Sequence, residues 1–428
     1  MPDAPAPRAA GPARDATGPD RSGPGRVVRT LDEHAAAVLA LGAPLPARRV
    51  PLAESLGTAL AADVVSAVDL PPWDSSAMDG YALRAADLRA GAVLRVADDV
   101  PAGETRAVTV PPGAAVRIMT GAPVPAGADT VVPVERTDGG TDRVTFHDVV
   151  PPGAHVRRRG EDVRAGDVVL RAGDVLGPAA LGLLAATGHV DAPVHARPRV
   201  AVVSTGSELV TGGGPLAHGQ IHESNGVQLA AAARAAGADV VDVRVLGDDV
   251  PDVLRVLEEL GARADVVVTT GGVSVGAYDV VRDALVAGGH GELVHVRMQP
   301  GKPQGVGRLP SGTPVLSLPG NPVSAHVSFE VFVRPLLRRL LGARDVHRRR
   351  VRATLAADVD SPAGRRQLLR ARLDWSGGTP VATAVGGPGS HLLGALARAD
   401  ALVDVPAEAT HVGAGETVTV VDLREADA

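Results

Sequence analysis

Residues 298–305 read MQPGKPQG, and Lys302 within them is the only lysine in 428 residues; every other Lys/Arg position is arginine. Lysine is a compact ammonium on a flexible stem, whereas arginine is a wide planar fork, so the two are not equivalent at a tight anion site. A lone lysine can also be a leftover on a solvated loop, so its surroundings must decide. Three other stretches carry residues suited to binding phosphate: STGSEL at 204–209, TTGGVSVGAYD at 269–279 and LPGNPVSA at 318–325. In the first, Thr205, Gly206 and Ser207 combine hydroxyls with a small backbone. In the second, Gly271, Gly272 and Gly276 allow close backbone approach and Ser274 adds a donor. In the third, Pro319, Gly320, Asn321 and Pro322 form a tight turn. None matches a Walker loop, because no Gly-Lys-Ser/Thr follows, nor the dinucleotide fingerprint, because the glycine spacing differs. Three such loops in one domain nevertheless point to a phosphate-bearing ligand.

Carboxylates accompany these loops. Asp279 follows the glycines near the start of a helix, where it is either a carboxylate favoured by the helix dipole or a Mg²⁺ ligand shared with substrate phosphates. Glu208 and Asp248 also follow strand ends and admit the same metal reading, while Asp248 in GDDVPDV can equally cap a helix. No Ser-His-Asp or paired-carboxylate constellation competes. The chemistry expected is anion positioning, with phosphoryl or oxyanion exchange.

The elements that must hold these loops are strands and helices in alternation from residue 198. RVAVVSTG, DVVDVRVLG, DVVVTTGG and TPVLSLPG read as strands, and SNGVQLAAAARAAG, VPDVLRVLEELGARA and DVVRDALVAGG as helices. That rhythm predicts a parallel, doubly wound α/β sheet, whose ligands bind beyond the carboxyl ends of the strands. Before it, TLDEHAAAVLALG has Thr30 and Glu33 at capping-box spacing, and LAESLGTALAADV continues as a second helical pattern. Residues 70–149 change to short Val-rich runs broken by Pro and Gly, and GPAALGLLAATG returns to helix. The expected division is a disordered tail at 1–26 and an N-terminal mixed α+β domain at 27–69 plus 150–196. A β domain at 70–149 is inserted into it, with an α/β domain at 197–345 and a C-terminal β domain at 346–428.

Composition limits the function classes. The chain has no cysteine, which excludes disulfides, thiolate nucleophiles and Cys-ligated metal. A net charge of −6 argues against nucleic-acid binding. No apolar run reaches the ~18 residues that span a bilayer, and residues 1–26 lack the apolar stretch of a secretory signal. A soluble, cytoplasmic protein without membrane contact is expected. Aromatics are 2% of the chain, so the core must be built of Val, Leu and Ala.

Taken in order, PPWDSSAMDGYALR (71–84), IMTGAPVPAGADTVV (118–132), RRRGEDVRAG (157–166), STGSEL, GGVSVGAYD, QPGKPQG, LPGNPVSA and GSHLLGALARADALVDVP (389–406) resemble the molybdopterin molybdenumtransferases. These are the molybdenum-insertion enzymes of molybdenum cofactor synthesis, related to the E domain of gephyrin. The resemblance runs from about residue 27 to 428. It implies an elongated homodimer of four domains whose third is the molybdopterin-binding α/β fold. It implies a Mg²⁺-dependent reaction in which adenylylated molybdopterin and molybdate give molybdenum cofactor and AMP. The upstream adenylyltransferase and the recipient molybdoenzymes are the partners implied. By similarity Asp79 and Thr120 meet the α/β domain across the dimer, and Glu208, Asp248 and Asp279 match acidic positions. Pro319 and Pro322 shape the LPGNP loop, and Lys302, Arg370 and Ser390 match a molybdate pocket. The sequence departs from the family at Ser75, at Ser207 and at Gln299, where the family often has Asn, Asp and Lys. The last leaves the pocket one formal charge poorer unless an arginine such as Arg370 compensates.

Overall fold

The computed structural model describes residues 27–272, 280–287 and 289–424. The tail at 1–26 and three candidate site residues, Ser274, Gly276 and Asp279, lie outside the described residues.

A seven-stranded sheet forms the centre. Its order is Val27–Arg29, Gly291–Val296, Pro303–Arg308, Pro314–Leu318, Val266–Thr270, Arg199–Thr205 and Asp239–Leu246. The last four are parallel to one another, as the alternating rhythm predicts. Pro303–Arg308 instead runs antiparallel to both its neighbours. The reason is chain length: residues 297–302 and 309–313 are too short for the dozen-residue crossover that parallel pairing requires. The sheet is therefore α/β and mixed. Lys302 sits at the turn into this antiparallel strand, inside the sheet's architecture.

Apolar clusters of mainly Val, Leu and Ala cover both faces of this sheet. The helix Leu31–Leu39 packs into one of them. Its first turn is closed reciprocally: Glu33 N–H donates to Thr30 Oγ1 at 3.2 Å, and Thr30 N–H donates to Glu33 Oε2 at 2.7 Å. The second helical pattern does not hold. After one 3₁₀ turn at Leu52–Glu54 the chain becomes extended, with Gly57 in the left-handed region at φ +73°. Ser55 and Thr58 hydroxyls donate to the carbonyls of Pro51 and Ser55, offering the backbone an alternative to helix. Ala47–Pro51 then pairs with Asp191–His195 and Val64–Val65 with Val168–Leu170, tying the chain before 70 to the chain after 150. Between them stands a five-stranded sheet whose core holds Tyr81 and Phe146 edge to face.

The C-terminal strands form a sheet that closes on itself through pairing of Arg366–Asp374 with Ala401–Val405. Met298–Gln299 joins its edge, with Met298 opposite Arg366 and Gln299 opposite Gln367. One face of the Lys302 loop is thus held by the central sheet and the other by the C-terminal one.

His34 on the first helix is 1% exposed, its ring edge-on to Phe332 with centroids 4.6 Å apart. Burial, helped by Arg29, lowers its pKa from 6.5 to about 4. The unfolded chain therefore binds the proton more tightly than the folded one, so protonation favours unfolding. Stability from this residue is intact above pH about 6.5, declines as the pH falls toward 4, and levels off below; linkage sets the loss at about 3 kcal/mol. Urea titrations at pH 7 and 4.5 should show a smaller acid-induced loss in His34→Leu than in the wild type. Equal losses would contradict the assignment.

Candidate active site

A cavity of about 1040 Å³ opens beyond the carboxyl ends of the parallel strands. One set of lining residues is the turn after Arg199–Thr205 with Thr270, Gly271 and Gly272 at the end of Val266–Thr270. A second set is residues 299–303, Asn321 after Pro314–Leu318, and Arg365 and Ser390 of the C-terminal segment. Strand ends and loops thus meet as the general rule for open α/β sheets requires.

The glycine turn is built for close approach. Gly271 has φ +90°, and a Cβ there would lie 2.4 Å from the Thr205 carbonyl oxygen. Thr205 Oγ1 beside it is buried without a hydrogen-bond partner among the described residues, which leaves a donor for a ligand oxygen. Asn225 ties the loops together: its Nδ2 donates to Thr270 Oγ1 at 3.0 Å and to the Gly320 carbonyl at 2.7 Å. Thr270 Oγ1 in turn donates to the Pro319 carbonyl at 3.0 Å. Glu223 accepts from Ser204 Oγ at 2.8 Å and from Gly226 N–H at 2.6 Å. Neither Asn225 nor Glu223 was singled out by its sequence setting, although Asn225 is one of only two asparagines in the chain.

Ser207 and Asp248 act on each other. Ser207 N–H and Oγ–H both donate to Asp248 Oδ2, at 3.0 and 2.5 Å. Asp248 lines the cavity with Glu208 and fixes the turn that carries it. Its helix-cap alternative finds no support, because Asp249 is the residue that precedes the helix Val250–Gly261 and no side chain caps it.

The lysine loop is held rigidly. Gln304 Nε2 donates to the Gly301 carbonyl at 2.6 Å and to Ser328 Oγ at 2.7 Å, and Val296 N–H donates to the Lys302 carbonyl at 2.9 Å. Asn321 Nδ2 donates to Ser390 Oγ at 2.9 Å, bringing two candidate residues from distant segments together. Pro319, Gly320 and Pro322 line the same wall.

Arg370 is placed differently from the expectation. It is buried, and its guanidinium donates to the carbonyls of Gly389, at 3.1 Å, and Gly387. Burial pulls its pKa below the usual arginine range. It holds the loop that presents Ser390 and does not itself line the cavity, which Arg365 does. Asp79 and Thr120 also lie off the cavity wall of their own chain. Thr120 N–H and Oγ–H donate to Asp79 Oδ1 at 2.6 and 2.7 Å, and these bonds hold the exposed carboxylate below its usual pKa.

The chain is similar to known proteins over most of its length. Residues 29–188 match the family model for the MoeA N-terminal region (domain I and II). Residues 201–339 match a probable molybdopterin binding domain, and 352–423 the MoeA C-terminal region (domain IV). Molybdopterin molybdenumtransferase 2 of Mycobacterium tuberculosis is 49% identical over 407 residues, covering 92% of this chain and all of that one. The chain belongs to the molybdopterin molybdenumtransferase family. The Haemophilus influenzae member is 35% identical over 396 residues, covering 91% of this chain and 98% of its own. A crystal structure of the molybdopterin biosynthesis MoeA protein from Pyrococcus horikoshii superposes with TM-score 0.77 at 29% identity, covering 93% of this chain and 100% of that one. With its relatives, the chain is a transferase that handles molybdopterin and molybdenum. Among the described residues no helix is long and apolar enough to cross a membrane.

Proposed function

We propose that this transferase inserts molybdate into adenylylated molybdopterin, releasing AMP and molybdenum cofactor, in the cytoplasm. The observation that carries the reading is that one cavity is lined both by a glycine-and-hydroxyl turn and by Lys302, Asn321 and Ser390. The first group suits the phosphates of an adenylylated pterin. Gly271 and Gly272 let backbone approach them, and Thr205 Oγ1 is a buried donor with no other partner among the described residues. The second group suits a tetrahedral oxyanion, with the Lys302 ammonium and a Ser390 hydroxyl that Asn321 holds in place. Binding both in one cavity converts a bimolecular exchange into a local one.

Glu208 and Asp248 offer hard oxygen donors beside the first group, which fits Mg²⁺ sharing one or two carboxylates with phosphate oxygens. Among the described residues no cluster of three or more acidic, histidine or cysteine side chains would hold a metal unaided. A shared site is therefore the appropriate kind. When bound, the ion neutralises charge on the phosphoanhydride oxygens. Asp248 meanwhile keeps the 205–208 turn in shape through Ser207. Lys302 places positive charge beside the oxyanion. Asp79 and Thr120, pre-paired and exposed on the small β sheet, act from the second copy of a homodimer.

The test is reconstitution. Purified protein, adenylylated molybdopterin, Mg²⁺ and molybdate, added to a molybdoenzyme lacking its cofactor, should restore that enzyme's activity. The restored activity should vanish when molybdate is omitted. Tight pterin binding without reconstitution would instead indicate a carrier.

A further inference from the structure

We propose that Arg365 is an oxyanion-binding residue of the cavity, acting beside Lys302 to supply the charge that Gln299 leaves out. This rests on the proposed function. The segment 364–370, GRRQLLR, carries three arginines, and the structure divides their roles. Arg366 is held by Asp404, at 2.7 and 2.6 Å, and by Asp32 at 2.9 Å. Arg370 is held by the Gly387 and Gly389 carbonyls. Arg365 alone of the three lines the cavity, and it is exposed with no hydrogen-bond or ion-pair partner among the described residues.

The backbone of Arg365 is fixed even though its guanidinium is not engaged. On one side Gly364 turns at φ +73° and donates its N–H to the Ala407 carbonyl at 2.8 Å. On the other, Arg366 N–H donates to the Arg297 carbonyl at 3.0 Å, one residue before the Met298–Gln299 strand. That register anchors Arg365 beside the loop carrying Gln299 and Lys302. Charge demands it as well. Among the described residues lining the cavity, Lys302 and Arg365 are the only lysine or arginine, set against Glu208, Glu223 and Asp248. Two cations against three carboxylates leave this lining one negative charge in excess, so losing either cation deepens the repulsion that a tetrahedral dianion meets. A guanidinium can grip two oxygens of such an anion at once, which an ammonium cannot.

The ligand chemistry is a tetrahedral oxyanion, and free molybdate and the substrate's own phosphate are its two sources. Arg365 is assigned to molybdate. Equilibrium dialysis with radiolabelled molybdate, and separate steady-state titrations of molybdate and of adenylylated molybdopterin, distinguish them. Arg365→Gln should raise the molybdate Kd and KM about tenfold, as loss of a charge-assisted contact does, and leave the pterin KM within twofold. Arg365→Lys should recover only part of the loss, because it keeps the charge and not the two-oxygen grip, and urea midpoints of both variants should match the wild type. Unchanged molybdate binding in Arg365→Gln, or a rise confined to the pterin KM, would overturn the assignment while leaving the proposed function standing. A wild-type protein that turns over without molybdate would overturn both.

Discussion

Lys302→Ala is expected to lower molybdate-dependent cofactor formation by about 100- to 1,000-fold, the range seen when a preorganised charge or donor at a reacting centre is removed. The cation's value comes from its fixed backbone. Gly301 stands at φ +104°, where a Cβ would come within 2.8 Å of Ser328 Oγ. Gln304 bonds both the Gly301 carbonyl and Ser328 Oγ, so the turn before Lys302 has little freedom to relax. The adjacent Gln299 is neutral and cannot substitute for the charge. Lys302→Arg should recover little, because a wide fork does not fit where a compact ammonium does. Steady-state rates with saturating pterin, beside an unchanged urea midpoint, read the effect. A wild-type rate in Lys302→Ala would remove the role assigned to this residue.

Gly271→Ala carries the second large effect, this time on folding and ligand binding together. The new methyl would meet the Thr205 carbonyl oxygen at 2.4 Å, in a residue already at φ +90°. The obstacle is backbone of the neighbouring parallel strand, where Ser204 pairs with Thr270, so no side-chain rotation relieves it. Left-handed strain costs about 1–3 kcal/mol and overpacking about 1–3 more, a large part of a stability of roughly 5–15 kcal/mol. Gly91→Ala is the matched control. Its φ is +75°, with open space around the position, so only the strain remains. The urea midpoint should fall much further for Gly271→Ala, and any folded fraction should bind adenylylated pterin at least tenfold more weakly. Equal losses in the two variants would show that the approach to Thr205 is not what requires glycine.

The alternating core of the α/β domain was legible because buried strands leave continuous Val runs and helices leave a period of 3.6. The strand Pro303–Arg308 was not, because PQGVGR reads as a turn and becomes a strand only by pairing with both neighbours. The stretch from Leu52 failed for a related reason. Its apolar spacing suits a helix, but Gly57 and the Ser55 and Thr58 hydroxyls favour turns, and strand pairing from residues beyond 160 then decides. At the site, rarity was the most informative signal. The sole lysine lines the cavity, and so do both asparagines, Asn225 and Asn321, in a chain that otherwise avoids these residue types. Among the three arginines of GRRQLLR the resemblance points to Arg370, whereas the one that lines the cavity is Arg365. Which one faces the cavity depends on the pairing of Met298 with Arg366, a contact between segments nearly seventy residues apart.

In the proposed function, one cavity joins adenylate cleavage to oxyanion use. The most direct measurement is AMP release from adenylylated molybdopterin and Mg²⁺ in a single turnover, with and without molybdate. Stoichiometric AMP that appears only with molybdate, and is lost in Lys302→Ala, is the predicted result. AMP released at the same rate without molybdate, or none released with it, would contradict the account.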